Sequence, residues 1–329
     1  MPFTVIRNDI TKMQVDAIVN SAHPEPAVGG GVDFAIHEAG GPELVQARIA
    51  LGDIFVSDIK VTKGYNLPSK YVIHTVGPRW ESTNKNKEDE LYRCYYNSLL
   101  EANKLGCESV ALPLISAGTY GFPRHLSMSI CNDAVRVFLE DHEMMIYLVV
   151  FDQDSYIISN ELYNTIEELI HSDAVVRQIE REVAYGARRR KQRLERPVRL
   201  RTQKVMHESV RFDPRDNDKS FRDKLFELIK ERDLLDPEVY KKANLTRQHF
   251  SKIRSNTDYH PSKPTVLALA IALELDIDET EDLLSRAGYS LSWSLSFDRV
   301  VRMFIEDEVY DIFLINEALL EFDLETIGV

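Results

Sequence analysis

The sequence predicts an α/β fold followed by an all-helical region. Three observations carry this. Short apolar runs recur at strand length, as in Asp16–Asn20, Tyr71–His74, Ser109–Leu112 and Ile146–Val150, and helical patterns lie between them. Two glycine-containing loops each stand between such a strand and a helix. From about residue 213 the apolar residues recur at helical spacing and strand runs cease.

The first loop follows Asp16-Ala17-Ile18-Val19-Asn20 and reads Val28-Gly29-Gly30-Gly31-Val32-Asp33-Phe34-Ala35-Ile36-His37. Consecutive glycines let backbone approach a ligand closely, and a helix N-terminus behind them adds a positive dipole end. Such a construction suits a diphosphate. Asp33 and His37 are four residues apart on one helical face beside it. The plainer reading is that Asp33 caps its helix and His37 packs beneath the loop. The second loop, Leu112-Pro113-Leu114-Ile115-Ser116-Ala117-Gly118-Thr119-Tyr120-Gly121-Phe122-Pro123, precedes a helix beginning near Leu126. It reads either as a second anion cradle with aromatic surfaces or as a tight strand-to-helix turn. His74 sits in an apolar strand and reads as a core histidine.

Composition narrows the class. The chain has 329 residues, 44% of them hydrophobic, enough for two cores of ordinary size. No apolar stretch reaches the roughly 18 residues of a membrane span, and the start has neither a basic leader nor a cleavage site, so the expected location is cytoplasmic and no membrane partner is expected. The three cysteines, Cys94, Cys107 and Cys131, are too scattered for a disulfide framework or a metal pair, and no metal is expected. A net charge of −13 argues against general nucleic-acid coating. The charge is uneven. Val176 to Phe212 carries 12 Lys/Arg against 4 Asp/Glu, including Arg188-Arg189-Arg190-Lys191. It reads as a basic linker, residues 173–212, serving as an exposed tether, a strap for an acidic partner or a nucleic-acid arm.

Beyond the linker, residues 213–329 form an all-helical region. Phe221 to Ile229 has helical spacing; Asp236-Pro237 predicts an N-cap and first-turn proline; Asn244-Leu245 breaks the chain; Thr246 caps a helix through Arg254. An apolar helix from Val266 to Leu275 and another from Asp276 towards Gly288 follow. The polar side of the third helix carries Arg247, Gln248, Ser251 and Lys252, the candidate nucleic-acid residues. Residues 214–329 hold 24 Asp/Glu against 15 Lys/Arg, a poor footprint for phosphate, so duplex DNA competes with a protein partner here. Two last apolar-faced helices, through Phe304 and Phe322, would pack on this core or form a homodimer.

Residues 1 to 172 resemble the macrodomain family, the ADP-ribose-binding module. The matching pieces, in the family's order, are Asn8-Asp9-Ile10, Asp16 to Asn20, Gly29 to Asp33, Ala35-Ile36-His37, Gly64-Tyr65-Asn66-Leu67-Pro68, Ile73-His74-Thr75-Val76-Gly77-Pro78, Ile115 to Pro123, and Phe151-Asp152. The run Leu234 to Leu284, within residues 220–288, resembles phage-repressor-like helix-turn-helix domains.

The macrodomain resemblance implies a three-layer α/β/α fold with a mixed sheet, and ADP-ribose as ligand or product, with no cofactor. It implies that Asp9 and Ile10 meet adenine, with Phe151 and Asp152 as its wall. Gly29, Gly30, Gly31 and Val32 would donate to one phosphate, and Ser116, Ala117, Gly118, Thr119 and Tyr120 would grip the other. Tyr120 and Phe122 would offer aromatic faces near the distal ribose. Asn20, Asp33 and His37 would be catalytic, positioning a water in a metal-independent ADP-ribosyl hydrolase. This chain departs from the pattern twice. The family's Asn-Ala-Ala-Asn reads Asn20-Ser21-Ala22-His23, and a small residue is replaced by Phe34. His23 either takes over the ribose contact or changes which linkage fits; Phe34 either crowds the phosphates or faces the core. The expected function is binding of ADP-ribose and hydrolysis of ADP-ribosyl linkages on an ADP-ribosylated macromolecule or an ADP-ribose derivative, the helical region selecting the target. The alternatives are an ADP-ribose-sensing regulator that binds DNA without turnover, and an ADP-ribose-gated interaction scaffold.

Overall fold

The computed structural model describes residues 3–84, 86–151, 158, 160–171, 219–256 and 259–328. The basic stretch 173–212 and Asp152 lie outside the described residues.

The N-terminal half is built on six strands: β1 (Phe3–Arg7), β2 (Ala17–Ser21), β3 (Ile59–Lys63), β4 (Tyr71–Thr75), β5 (Ser109–Pro113) and β6 (Met145–Val150). Their order is β1-β6-β5-β2-β4-β3, with every neighbouring pair parallel except antiparallel β3–β4. This is the expected mixed sheet. β2 is central and buried on both faces, which is why Ala17-Ile18-Val19 reads as a continuous apolar run rather than an alternation. Ala17 and Val19 face one core with Leu91, Leu99 and Phe138; Ile18 faces the other with Ile36 and Leu44. Helices α1 (Val32–Gly40) and α2 (Pro42–Ala50) thus cover one face, and α3 (Asn86–Lys104) and α4 (Arg124–Asp141) the other. Residues 10–12 form a 3-10 turn capped by Asp9. α5 (Asn160–His171) completes this half.

The C-terminal region is helical throughout its described part: α6 (Phe221–Glu231), α7 (Asp236–Lys242), α8 (Arg247–Ser255), α9 (Lys263–Ala272), α10 (Ile277–Arg286), α11 (Ser296–Glu306) and α12 (Ile312–Glu321). Thr246 caps α8 as expected, accepting from the His249 amide. The α7 cap differs from expectation. Leu235 occupies the cap position, its N–H donating to Glu238, so Asp236 lies one residue inside the helix, where it pairs with Arg254 at 2.8 Å. α9 is buried from Thr265 to Ala272, consistent with the apolar run Val266–Ala272.

The two halves share one hydrophobic core. β1 is an edge strand, and its exposed backbone groups need partners. Asn244 supplies them: Phe3 N–H donates to Asn244 Oδ1 at 2.7 Å, and Asn244 Nδ2 donates to Phe3 O at 2.8 Å. Asn244 adopts φ +53°, a left-handed conformation that asparagine tolerates well. On α12, Phe313 meets Phe3 edge-to-face at 5.2 Å. The last helices therefore pack on the sheet edge as well as on the helical core.

Candidate functional site

α1 begins at Gly31 (φ +63°), and no side chain caps it. The first-turn amides of a helix have no intrahelical acceptor, so they are open donors at the positive end of the dipole. Facing them is the second loop. Ser116 takes φ +64°, and Phe122 N–H donates to Ser116 O at 3.1 Å. A buried lattice braces this loop. Ile115 N–H donates to the Tyr95 hydroxyl at 2.8 Å, and Ser127 Oγ donates to Ile115 O at 3.0 Å. Gly77 is required by close approach, since a Cβ there would lie 2.0 Å from Ser116 Oγ.

Between the two loops runs a cleft of about 810 Å³. Its wall includes Asp9, Ile10, Gly29, Gly30, Gly31, Val32 and Asp33 from one side, and Ser116, Ala117, Gly118, Thr119 and Tyr120 from the other. Phe151 stands exposed at the end near Asp9. The expected ligand-facing residues therefore converge, with three corrections. The Gly29 N–H donates to Asp33 Oδ2 at 2.6 Å, so it is spent on the loop itself and the donors left are those of Gly30, Gly31 and Val32. Phe122 is 2% exposed and packs edge-on against Trp80 at 4.5 Å; it belongs to the core rather than the cleft. Phe34 does not face the core: it is 52% exposed on the outer side of α1.

Asp9 lines the cleft but is already engaged. Its carboxylate accepts from Thr11 N–H at 3.0 Å and Thr11 Oγ1 at 2.7 Å and pairs with Lys12. The Thr11 hydroxyl, followed by the other contacts, holds its pKa below the ordinary carboxylate value against the opposing effect of burial.

Beneath the glycines lies a buried polar cluster. Asn20 Nδ2 donates to Asp33 Oδ1 at 2.5 Å and to His74 Nδ1 at 3.1 Å. His74 Nε2 lies 2.9 Å from Thr62 Oγ1. Burial, reinforced by the charges of His37 and Arg48, pushes His74 down to about 3, so it is a neutral core histidine, as its apolar strand predicts. His37 Nδ1 lies 2.7 Å from the Asp33 carbonyl and 3.2 Å from Asp33 Oδ1. Burial works to raise the Asp33 pKa, but hydrogen bonds from His37, Asn20 and Gly29 outweigh it and leave it lowered. Burial likewise works to lower His37, and Asp33 outweighs it, leaving it raised. Asp33 is 1% exposed and His37 2%. The structure brings Asn20, Asp33 and His37 together, and of the three only Asp33 reaches the cleft wall.

Three residues escaped the sequence reading, two in the cleft wall and one buried behind it. Arg79 lies over the Tyr120 ring at 4.7 Å, and Arg124 lines the same end. Arg48, entirely buried, donates to the carbonyls of Gly52, His23 and Glu25. The signal for Arg48 was its place four residues after Leu44 on the buried side of α2; an arginine there needs internal acceptors. In the helical region, Arg247, Gln248, Ser251 and Lys252 are all exposed on α8. No group of three or more metal-ligating side chains occurs among the described residues.

The glycine-lined cleft lies across the ends of the parallel strands of an α/β/α sheet, where open α/β sheets bind their ligands. Comparison with known proteins places it more closely. The Macro domain family model matches residues 19–131. A macro domain-containing protein of Methanosarcina mazei is 42% identical over 153 residues, covering 46% of this chain and 82% of that protein. The O-acetyl-ADP-ribose deacetylase of Escherichia fergusonii is 41% identical over 168 residues, covering 49% of this chain and 93% of that protein. Among solved structures, a Trypanosoma brucei macrodomain in complex with ADP-ribose shares 36% identity, with 46% of this chain and 65% of that one covered and a TM-score of 0.43. The chain belongs to the macrodomain family through its N-terminal half.

Proposed function

We propose that the cleft binds ADP-ribose and that the protein hydrolyses an ADP-ribosyl ester, with O-acetyl-ADP-ribose as the first substrate to test. The observation that carries this reading is the pairing of the uncapped α1 N-terminus with the braced loop Ser116–Tyr120 across a cleft large enough for a dinucleotide-sized ligand. The 41% identity to a protein named for that deacetylation supports the substrate class. Adenine lies at the end formed by Asp9, Ile10 and Phe151, the diphosphate between the loops, and the distal ribose beyond the glycines. The open amides of α1 would hold the diphosphate and so fix the distal ribose and its ester against the cleft wall. The buried Asp33–His37 pair holds the glycine loop in place through the Gly29 amide.

A second reading, an ADP-ribose sensor without turnover, is favoured by one observation: both Asp33 oxygens are already held, by Asn20 and by Gly29. The exposed Arg247, Gln248, Ser251 and Lys252 would then meet duplex DNA, with the basic stretch 173–212 as a tether. Release of acetate from O-acetyl-ADP-ribose by the intact chain decides between the two. Turnover that falls at least tenfold in Asp33→Asn while ADP-ribose still binds supports the hydrolase; tight binding with no acetate released supports the sensor.

A further inference from the structure

The sheet order sets the two ends of the cleft apart. Asp9 and Phe151 follow β1 and β6, on one side of β5. The glycine loop and Arg79 follow β2 and β4, on its other side. With adenine over β1 and β6, the reacting ester lies towards β2 and β4. Two arginines line the cleft, Arg79 and Arg124, the second only four residues beyond Tyr120. The wall also holds the carboxylates of Asp9, Asp33 and Glu38, but none of them pairs with Arg79. Asp9 pairs with Lys12 instead, and Asp33 gives its oxygens to Asn20 and Gly29.

Arg79 is placed by its neighbours. Pro78 before it is buried, and Trp80 after it donates its N–H to Tyr120 O at 2.9 Å. The Trp80 ring packs edge-on against Phe122 at 4.5 Å. The backbone at Arg79 is thereby tied to the second loop, and its guanidinium lies 4.7 Å over the Tyr120 ring. Stacking uses the face of a guanidinium, whereas its N–H donors lie along the edge. Among the described residues no carboxylate occupies that edge of Arg79, which is exposed at the cleft. A planar, held cation of this kind suits a carboxylate brought by the ligand.

We propose that Arg79, with Arg124, selects ADP-ribose esters whose acyl group ends in a second, free carboxylate, a dicarboxylic monoester such as succinyl in place of acetyl. This rests on the ester-hydrolase reading of the cleft. In the reaction water adds to the acyl carbon, and the bond from that carbon to the ribose oxygen breaks. The ribose keeps a hydroxyl, and the acid leaves as a dicarboxylate with release of one proton. The arginines make and break none of these bonds; they hold the far carboxylate while the ester reacts. Because Arg79 is exposed, its effect is modest and screened by salt.

The test is hydrolysis of three ADP-ribose esters by the full chain: acetyl, succinyl, and succinamyl, which has the length of succinyl but ends in a neutral amide. The kcat/KM for succinyl should exceed that for succinamyl by about three- to tenfold at low salt. Raising the salt to about 0.5 M should bring this ratio towards unity. Arg79→Gln should bring it there at low salt, and Arg79→Lys should keep part of it. The ratio is taken within each variant, so a general loss of cleft integrity cancels. A ratio near unity in the parent overturns the proposal. So does a ratio left intact by Arg79→Gln/Arg124→Gln even where both rates fall, because the arginines would then serve the diphosphate or the fold. If no acyl group is released, acetyl included, the hydrolase reading fails by itself. The same esters titrated calorimetrically then give the ratio as affinities, and equal affinities overturn the proposal.

Discussion

Replacing Glu317 by glutamine should remove a large pH dependence from the stability of this protein. Glu317 lies on α12, partly buried against α4, where Asn132 Nδ2 donates to its Oε1 at 2.5 Å. Burial pushes its pKa from the ordinary 4.5 to about 7, with the Asp311 charge adding to the effect and the Asn132 hydrogen bond opposing it. Arg136 pairs with Asp311, and among the described residues Glu317 has no ion-pair partner. A carboxyl whose folded pKa is raised binds more protons folded than unfolded, so stability falls as pH rises from about 4.5 to about 7. At about 1.4 kcal/mol per unit, the rise from 4.5 to about 7 corresponds to about 3.5 kcal/mol lost above pH 7. Glu317→Gln keeps an acceptor for Asn132 and cannot ionise. Its stability should match the parent at pH 4.5 and exceed it by about 3.5 kcal/mol at pH 8. Urea unfolding at both pH values, followed through Trp80 in the N-terminal half and Trp293 in the helical region, measures this. Parallel losses of stability in parent and variant between the two pH values would refute the assignment.

Other perturbations bear on docking and on the site. Asn244→Gly tolerates the positive φ but strips both partners from the Phe3 backbone; unfolding experiments should show a loss of about 2–4 kcal/mol, and a change under about 0.5 kcal/mol would contradict the edge-capping role. Gly77→Ala drives a methyl into Ser116 Oγ and Ile115, so it should displace the second loop and weaken ADP-ribose binding at least tenfold, read by calorimetry. An Arg247→Ala/Lys252→Ala variant should lose any duplex binding seen by fluorescence anisotropy while keeping ADP-ribose affinity, because both side chains are exposed on α8 rather than in the cleft.

Much of the site could be read from the sequence because its signals are local. The three glycines, the loop Ser116–Tyr120 and the strand β2 between buried faces each follow from composition over a few residues. What escaped depends on contacts between distant parts of the chain. Asn244 looks like a simple helix break; its partner is the backbone of Phe3, 241 residues away. Phe122 seems to offer an aromatic face to the ligand until Trp80, brought by the β4–α3 connection, covers it. Gly29 looks like a phosphate donor because nothing in the sequence says that Asp33 has already taken its N–H. Arg48 was legible only as a polar residue on an apolar face, since the carbonyls it holds come from two separate segments. The misplaced α7 cap came from reading Asp236-Pro237 by local preference, where Glu238 reaches back to Leu235 instead.

The central claim is that the cleft between the glycine loop and Ser116–Tyr120 is an ADP-ribose site. Calorimetric titration of ADP-ribose into the intact chain tests it most directly. The expected result is saturable binding of one ADP-ribose per chain, weakened at least tenfold by Gly77→Ala. Absence of binding by the parent protein, or binding indifferent to Gly77→Ala, would contradict it.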